Sequence, residues 1–175
     1  HRAFSPGFDK WTPGVYNDID NTYLSSIESS GRHVMHITLE SDYAVRIIYC
    51  LAQNPLRMDA KKISDETGVT LRFSLKILRK LVSGGLVQSY KGTKGGYELA
   101  KPPKDISLAD VIQTVEGKFA LSRCVSEEEY QCSRGSGNCA DCRFHQVYAD
   151  ISQMVQQRLE QVRFSDFLEE EKANK

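Results

Sequence analysis

Between Thr70 and Ala100 the chain reads TLRFSLKILRKLVSGGLVQSYKGTKGGYELA, and its period changes halfway along. Leu71, Leu75, Leu78 and Val82, widened by Phe73, Ile77 and Leu81, form the apolar stripe of an amphipathic helix. Gly84-Gly85 closes that helix. Leu86 to Tyr90, the glycine-rich KGTKGG and Tyr97-Glu98-Leu99 then read as two short strands about a turn. A helix followed at once by a glycine-turned hairpin limits the folds open to the chain, and the segments around it narrow the choice further.

Upstream, a helix is expected to begin near Ser41 or Asp42, either of which can cap its free amides. Ala44, Ile47, Ile48 and Leu51 fall on one face of it, and Asn54-Pro55 ends it. A short helix from about Asp59 to Thr67 stops at Gly68, and Thr70 is placed to cap the next one. Two helices joined by a short glycine turn match a helix-turn-helix with the second helix as reader, and the hairpin beside them reads as a wing. Pro102-Pro103 ends the wing, and Ser107 with Asp110 forms a capping-box-like start for a fourth helix ending at Gly117. A long helix is expected from about Phe144 to Val162, with Phe144, Val147, Tyr148, Ile151, Met154, Val155, Leu159 and Val162 as its stripe. A second copy of that helix is the simplest cover for the stripe, because two-fold homodimers are common. The fold class is therefore mainly α with a small β-hairpin wing: a winged helix-turn-helix domain plus a long C-terminal dimerisation helix.

Net charge is zero over 175 residues, yet the charge is unevenly spread. From Thr70 to Lys104 the cations are Arg72, Lys76, Arg79, Lys80, Lys91, Lys94, Lys101 and Lys104, and the only acid is Glu98. A basic face on a neutral chain points to a polyanionic partner, here double-stranded DNA. Arg72, Lys76, Arg79 and Lys80 project together at helical spacing. The expected DNA-binding residues are Thr70, Arg72, Ser74, Lys76, Arg79 and Lys80 on the helix and Lys91, Thr93 and Lys94 at the wing tip. Most would meet phosphate, and base reading would fall to Thr70, Arg72 and Lys76 in the first half of the helix.

Four of the five cysteines cluster as C-x7-C-x6-C-x2-C-x2-H, using Cys124, Cys132, Cys139, Cys142 and His145. The intervening glycine-, serine- and charge-rich loop has no core in which to bury thiols. The residues leave three chemistries open: an iron–sulfur cluster, a structural zinc, and a thiol–disulfide switch. Cys50 lies inside the first helix and reads as a small core residue. A thiol oxidoreductase is the rival enzyme class, but its motif expects a strand before the CxxC, and a polar glycine loop stands there instead. The chain is therefore not expected to be an enzyme.

Residues 1–34 read as an expression leader or an N-terminal arm, with Met35 as the natural start. The expected divisions are a winged helix-turn-helix domain over 35–104, a helix and cysteine-rich loop over 105–143, a dimerisation helix over 144–168 and an acidic tail over 169–175. No apolar run is long enough to cross a bilayer, so no membrane partner is expected. A cytoplasmic location, where thiols stay reduced, is expected.

From Met35 to about Leu168 the chain resembles the Rrf-type family of bacterial winged-helix regulators. The matching residues are the start MHITLESDYAVRIIYCLA, the reader helix LRFSLKILRKLVSGGLV, the wing KGTKGGYELAKPP, and ISLADVIQTVEG before the cysteines. The resemblance implies a homodimer that binds operator DNA and senses iron–sulfur, redox or nitric oxide status. In IscR-like members a two-iron two-sulfur centre is held by three cysteines and a histidine, which implies Cys124, Cys132, Cys142 and His145 here. Cys139 is an extra thiol that could replace Cys142 or His145 or act as a reserve ligand, and the spacing before the third ligand is longer than in that branch. NsrR-like members imply a four-iron cluster with Asp42 as a ligand from the partner subunit. CymR-like members lack the cluster, and the cysteines here argue against that branch.

Overall fold

In the computed structural model of the chain, which describes residues 37–92, 95–126, 130, 132 and 141–173, helix α1 (Leu39–Gln53) runs through the core. Thr38, rather than Ser41 or Asp42, caps α1: its side chain accepts from the Ser41 amide at 3.3 Å. Ser41 lies within the first turn, fully buried, and its hydroxyl donates to Glu116 instead. Ala44, Ile47, Ile48 and Leu51 form the buried face as their spacing predicts. Asn54 terminates the helix, its amide hydrogen-bonded to the Leu51 carbonyl at 3.3 Å.

Helix α2 (Ala60–Thr67) is capped by Asp59, whose carboxylate accepts from the Lys62 amide at 2.9 Å. Gly68 ends it with φ of 69°, a left-handed turn that costs glycine no Cβ clash. Helix α3 (Leu71–Ser83) follows after Val69-Thr70, completing the helix-turn-helix. Thr70 stands at the N-cap position but makes no side-chain capping bond, against expectation. The buried face of α3 is also rotated from the expected stripe. Ser74, Ile77, Leu78 and Leu81 face the core, while Leu71 is 40% and Phe73 44% exposed. Positions 74, 77, 78 and 81 make a coherent i, i+3, i+4, i+7 set, and a small serine lets that set pack close to the turn.

Strands β1 (Val87–Tyr90) and β2 (Gly96–Leu99) pair antiparallel, with Val87 opposite Leu99 and Tyr90 opposite Gly96. Met58 bridges to Tyr97 through reciprocal amide–carbonyl bonds of 3.0 and 2.8 Å, so the segment before α2 extends the wing by one pairing. A 3-10 turn (Pro103–Asp105) leads into α4 (Leu108–Glu116), where Ser107 and Asp110 form the predicted capping box. At Gly84 a Cβ would meet Thr114 Cγ2 at 2.4 Å, so a residue without a side chain lets the end of α3 sit against α4.

After a short helix, α5 (Arg123–Ser126), helix α6 spans Arg143–Gln161. Its buried point is Ser152, whose hydroxyl donates to the Tyr148 carbonyl at 2.6 Å and accepts from the Leu121 amide at 2.9 Å. At Val162-Arg163 the chain turns back. The Leu108 amide bonds to the Val162 carbonyl at 2.9 Å, and the Phe164 amide to the Ile106 carbonyl at 3.1 Å. Helix α7 (Phe164–Ala173) then packs on α1 and the 3-10 turn, with Phe164 fully buried and edge-on to Phe167. The long helix thus ends beside the expected Val162, while residues 164–173, expected as the end of the dimerisation segment and an acidic tail, form a second helix. The cause is Phe164: an aromatic with a place in the core outweighs continuation of a solvent-exposed helix.

Candidate nucleic-acid interface

The turn between α2 and α3 is pinned from both sides. The Val69 carbonyl accepts from Ser64 Oγ at 2.7 Å and from Ser74 Oγ at 3.3 Å. Ser74, expected to face DNA, is buried and holds this turn, which corrects its assignment. With the turn fixed, Thr70, Arg72, Lys76 and Arg79 all lie on the exposed side of α3. Leu71, Arg72, Phe73, Leu75, Lys76 and Arg79 line one surface depression along that side. Arg72 and Arg79 make no ion pair among the described residues. Phe73 is braced edge-on by Tyr43 of α1, with ring centroids 6.0 Å apart.

The two lysines of α3 behave differently from its arginines. Lys80 is half-buried, donates to the Val115 carbonyl at 2.8 Å and pairs with Glu40 Oε1 at 2.9 Å. It braces α3 against α4 and α1, and is not a free phosphate contact as expected. Lys76 lies further out and meets Glu40 Oε2 at 3.3 Å. The Lys80 ammonium, opposed by partial burial and helped by Lys76, holds the Glu40 carboxyl below the usual carboxylate range. Glu116, the last residue of α4, accepts from the hydroxyls of Thr38 and Ser41. The first turn of α1, the middle of α3 and the end of α4 thus meet at one polar junction. Sequence reading missed it because Glu40 and its partners are distant in the chain.

The wing supplies a second basic edge. Lys91 is exposed at its tip, while Thr93 and Lys94 lie outside the described residues. Along its strands the Arg57 guanidinium lies 3.4 Å from the Tyr90 ring centroid, and its Nε meets Glu98 at 2.8 Å. The Tyr90 hydroxyl donates to Glu98 at 2.7 Å. The Tyr90 hydroxyl, and after it Arg57, hold the Glu98 carboxyl below its ordinary value. The single acid of the basic stretch is thereby matched by a cation from outside it. Cation and hydroxyl both engage Glu98, which offsets the one negative charge of the wing.

The cysteine region was expected to gather four ligands. Cys124, Cys132 and Cys142 are half-buried free thiols, and Cys139 lies outside the described residues. Cys142 precedes the first turn of α6, and Cys124 Sγ lies 3.4 Å from the Ser122 hydroxyl. His145 sits in the first turn of α6, with Nδ1 buried and without a hydrogen-bond partner among the described residues. A buried imidazole nitrogen with nothing to bond fits a metal ligand in kind, as do the thiols. Among the described residues, however, no three Cys, His, Asp or Glu side chains converge as a metal site. Asp42, the alternative ligand, pairs with Arg46 at 2.7 Å on the surface of α1. Cys50 is buried as expected, and burial, reinforced by Glu66, pushes its thiol up to about 12.

Residues 37–170 match the Rrf2 family, described as an iron-dependent transcriptional regulator. The chain is 31% identical to the rrf2-like HTH-type transcriptional regulator of Rhodobacter capsulatus, across 66% of this chain and 80% of that one. It is 27% identical to the HTH-type transcriptional regulator NsrR of Shouchella clausii, across 70% and 84%. Among solved structures, it resembles T. potens IscR with a TM-score of 0.59 and 22% identity, covering 78% of this chain and 88% of that one. It likewise resembles CymR, the global cysteine regulator of B. subtilis, with a TM-score of 0.60 and 20% identity, covering 77% and 96%. These likenesses agree with the winged-helix fold and with a regulator rather than an enzyme. Among the described residues no helix is long and apolar enough to cross a membrane.

Proposed function

The chain belongs to the Rrf2 family of transcriptional regulators, and from that premise we propose that it binds operator DNA as a homodimer and reports the state of an iron–sulfur cluster in its cysteine segment. The observation that carries the DNA half is the exposed row Arg72, Lys76 and Arg79 on α3, clear of the core that holds the helix. A reader helix presented this way enters the major groove with its first turns, while the wing follows the backbone. Arg72 and Arg79 supply phosphate or guanine contacts, and Lys91 at the wing tip adds phosphate contact. Exposed Leu71 and Phe73 add apolar area suited to thymine methyl groups.

Dimerisation is supported by α6. Val147 and Met154 are 46% and 62% exposed on a helix whose other side already packs on α4. A second copy brings two reader helices to successive major grooves, as operator symmetry requires.

The cluster would be held by Cys124, Cys132, Cys142 and His145, with Cys139 and Asp42 as alternative ligands and a two-iron two-sulfur form favoured over a four-iron one. When bound it would supply a one-electron couple and a site reactive to oxidants and nitric oxide. The support from this chain is the buried Nδ1 of His145, which has no partner among the described residues, three positions after Cys142. Both sit where α6 begins, so a change in ligation there bears on the helix proposed to join the copies. A cytoplasmic location completes this reading.

The test is anaerobic purification with iron, sulfide and zinc analysis, followed by DNA binding across a salt series. We expect iron and acid-labile sulfide in equal amounts, and affinity for a promoter fragment that falls steeply with salt. Zinc without sulfide would replace the cluster with a structural metal. A metal-free protein whose thiols cross-link on mild oxidation would replace it with a disulfide switch. Binding that ignores salt would end the DNA reading.

A further inference from the structure

The junction at Glu40 places a carboxylate where a DNA-facing helix would be expected to carry only positive charge. Its two oxygens are divided between two lysines of α3. Oε1 pairs with Lys80 at 2.9 Å, and Oε2 pairs with Lys76 at 3.3 Å. The two pairs differ in exchangeability. Lys80 is also tied to the Val115 carbonyl at 2.8 Å and its side chain is 37% exposed, so it stays put. Lys76 has no second partner among the described residues, and its side chain is 57% exposed. The Glu40 side chain itself is 22% exposed, fixed by Lys80 from behind and presenting its outer oxygen to Lys76.

We propose that Glu40 is an intramolecular stand-in for DNA phosphate: it occupies Lys76 in the free protein, and Lys76 must leave it to engage the backbone. The inference rests on the reading of α3 as the DNA-facing helix. An exposed ion pair is weak, so exchange is easy, but it still subtracts from what Lys76 contributes to binding. The carboxylate also stays beside the groove after exchange and repels nearby phosphates. Both effects act on the sequence-independent part of the affinity. Glu40 therefore lowers binding to any duplex and leaves base discrimination to the rest of α3, which raises the share of binding that depends on sequence.

The experiment compares the wild-type full chain, Glu40→Gln, Lys76→Met and the double variant on a promoter duplex and a scrambled duplex. Fluorescence anisotropy is followed from about 50 to 200 mM salt, with thermal midpoints measured alongside. Glu40→Gln should tighten both duplexes by about three- to tenfold at the lowest salt and steepen the salt slope by about one phosphate contact. Lys76→Met should cost less than about twofold in the wild type but about fivefold or more beside Glu40→Gln, since only there is Lys76 fully available. Glu40→Gln that binds equally or more weakly at an unchanged midpoint would overturn the proposal. Should Glu40→Gln fail to fold, Lys76→Met alone decides: a loss as large as that of Arg72→Ala would show Lys76 to be a full contact already. A wild-type protein that binds neither duplex with salt dependence would instead bring down the DNA reading on which the proposal stands.

Discussion

Helices α3 and α6 are both amphipathic, and the domain uses them in opposite ways. Helix α3 buries Ile77, Leu78 and Leu81 within its own chain and turns Arg72, Lys76 and Arg79 outward. Helix α6 buries little beyond Ser152 and leaves Phe144, Val147 and Met154 at the surface. One apolar stripe is satisfied internally, so its polar face is free for a ligand. The other is only partly satisfied, so its apolar face is what remains to be covered. Amphipathicity alone says that a helix has two faces; which face meets a partner depends on how much core the rest of the fold supplies.

The contrast is tested most severely on α6. Val147→Asp with Met154→Asp would place like charges across any two-fold contact, each costing several kcal/mol. We expect dimers to become monomers by light scattering and operator affinity to fall by about a hundredfold or more, because joined reader helices no longer share one site. Retention of the dimer with full affinity would mean that another surface joins the copies. On α3 the corresponding probe is stability. Ile77→Ala should cost about 2–5 kcal/mol in denaturant unfolding, whereas Leu71→Ala should stay within about 0.5 kcal/mol. Equal costs would erase the rotation of the buried face that separates the two residues.

That rotation shows what sequence could and could not deliver. Every helix boundary marked by a turn residue was legible: Gly68, Gly84, Gly117 and Asn54 all stop helices through local backbone chemistry. The capping box at Ser107 and Asp110 was legible for the same reason. Faces of α3 were harder, because apolar residues at 71, 73, 75, 77, 78, 81 and 82 encircle more than half the helix. The Ser74 bond to Val69 and the burial of Ile77, Leu78 and Leu81 show which part turns inward. The end of the long helix near Val162 was legible, but the helix beyond it was not, because the place waiting for Phe164 is built by distant segments. In the candidate site, the exposure of Arg72 and Arg79 on one side of α3 was legible from charge and spacing. The roles of Lys80 and Glu40 depend on a contact between the ends of α1 and α4, which no local pattern encodes.

The next smaller effects separate the cations proposed to contact DNA from the one that holds α3 in place. Arg72→Ala and Arg79→Ala should each weaken a promoter duplex by about tenfold at low salt and reduce the salt slope by about one, with the thermal midpoint little changed. Lys80→Met should do the reverse, lowering the midpoint while leaving the slope as it was. A slope that drops equally for all three would return Lys80 to the DNA face despite its bond to Val115.

The smallest effect probes the apolar residues that α3 exposes. Phe73 is a large ring left 44% exposed and braced by Tyr43 rather than packed away, one residue from Arg72. In a free helix that exposure is a loss; against a major groove it can meet the C5-methyl group of thymine. Replacing each operator thymine in turn by deoxyuridine removes one methyl group and nothing else. At the thymine that Phe73 meets, the wild type should lose about threefold to fourfold in affinity, the worth of roughly one buried methylene. Phe73→Ala should bind the thymine and deoxyuridine duplexes alike. Methyl sensitivity that survives Phe73→Ala would assign the contact to Leu71 or Thr70. Its absence in the wild type at every position would leave α3 reading DNA through its polar side chains alone.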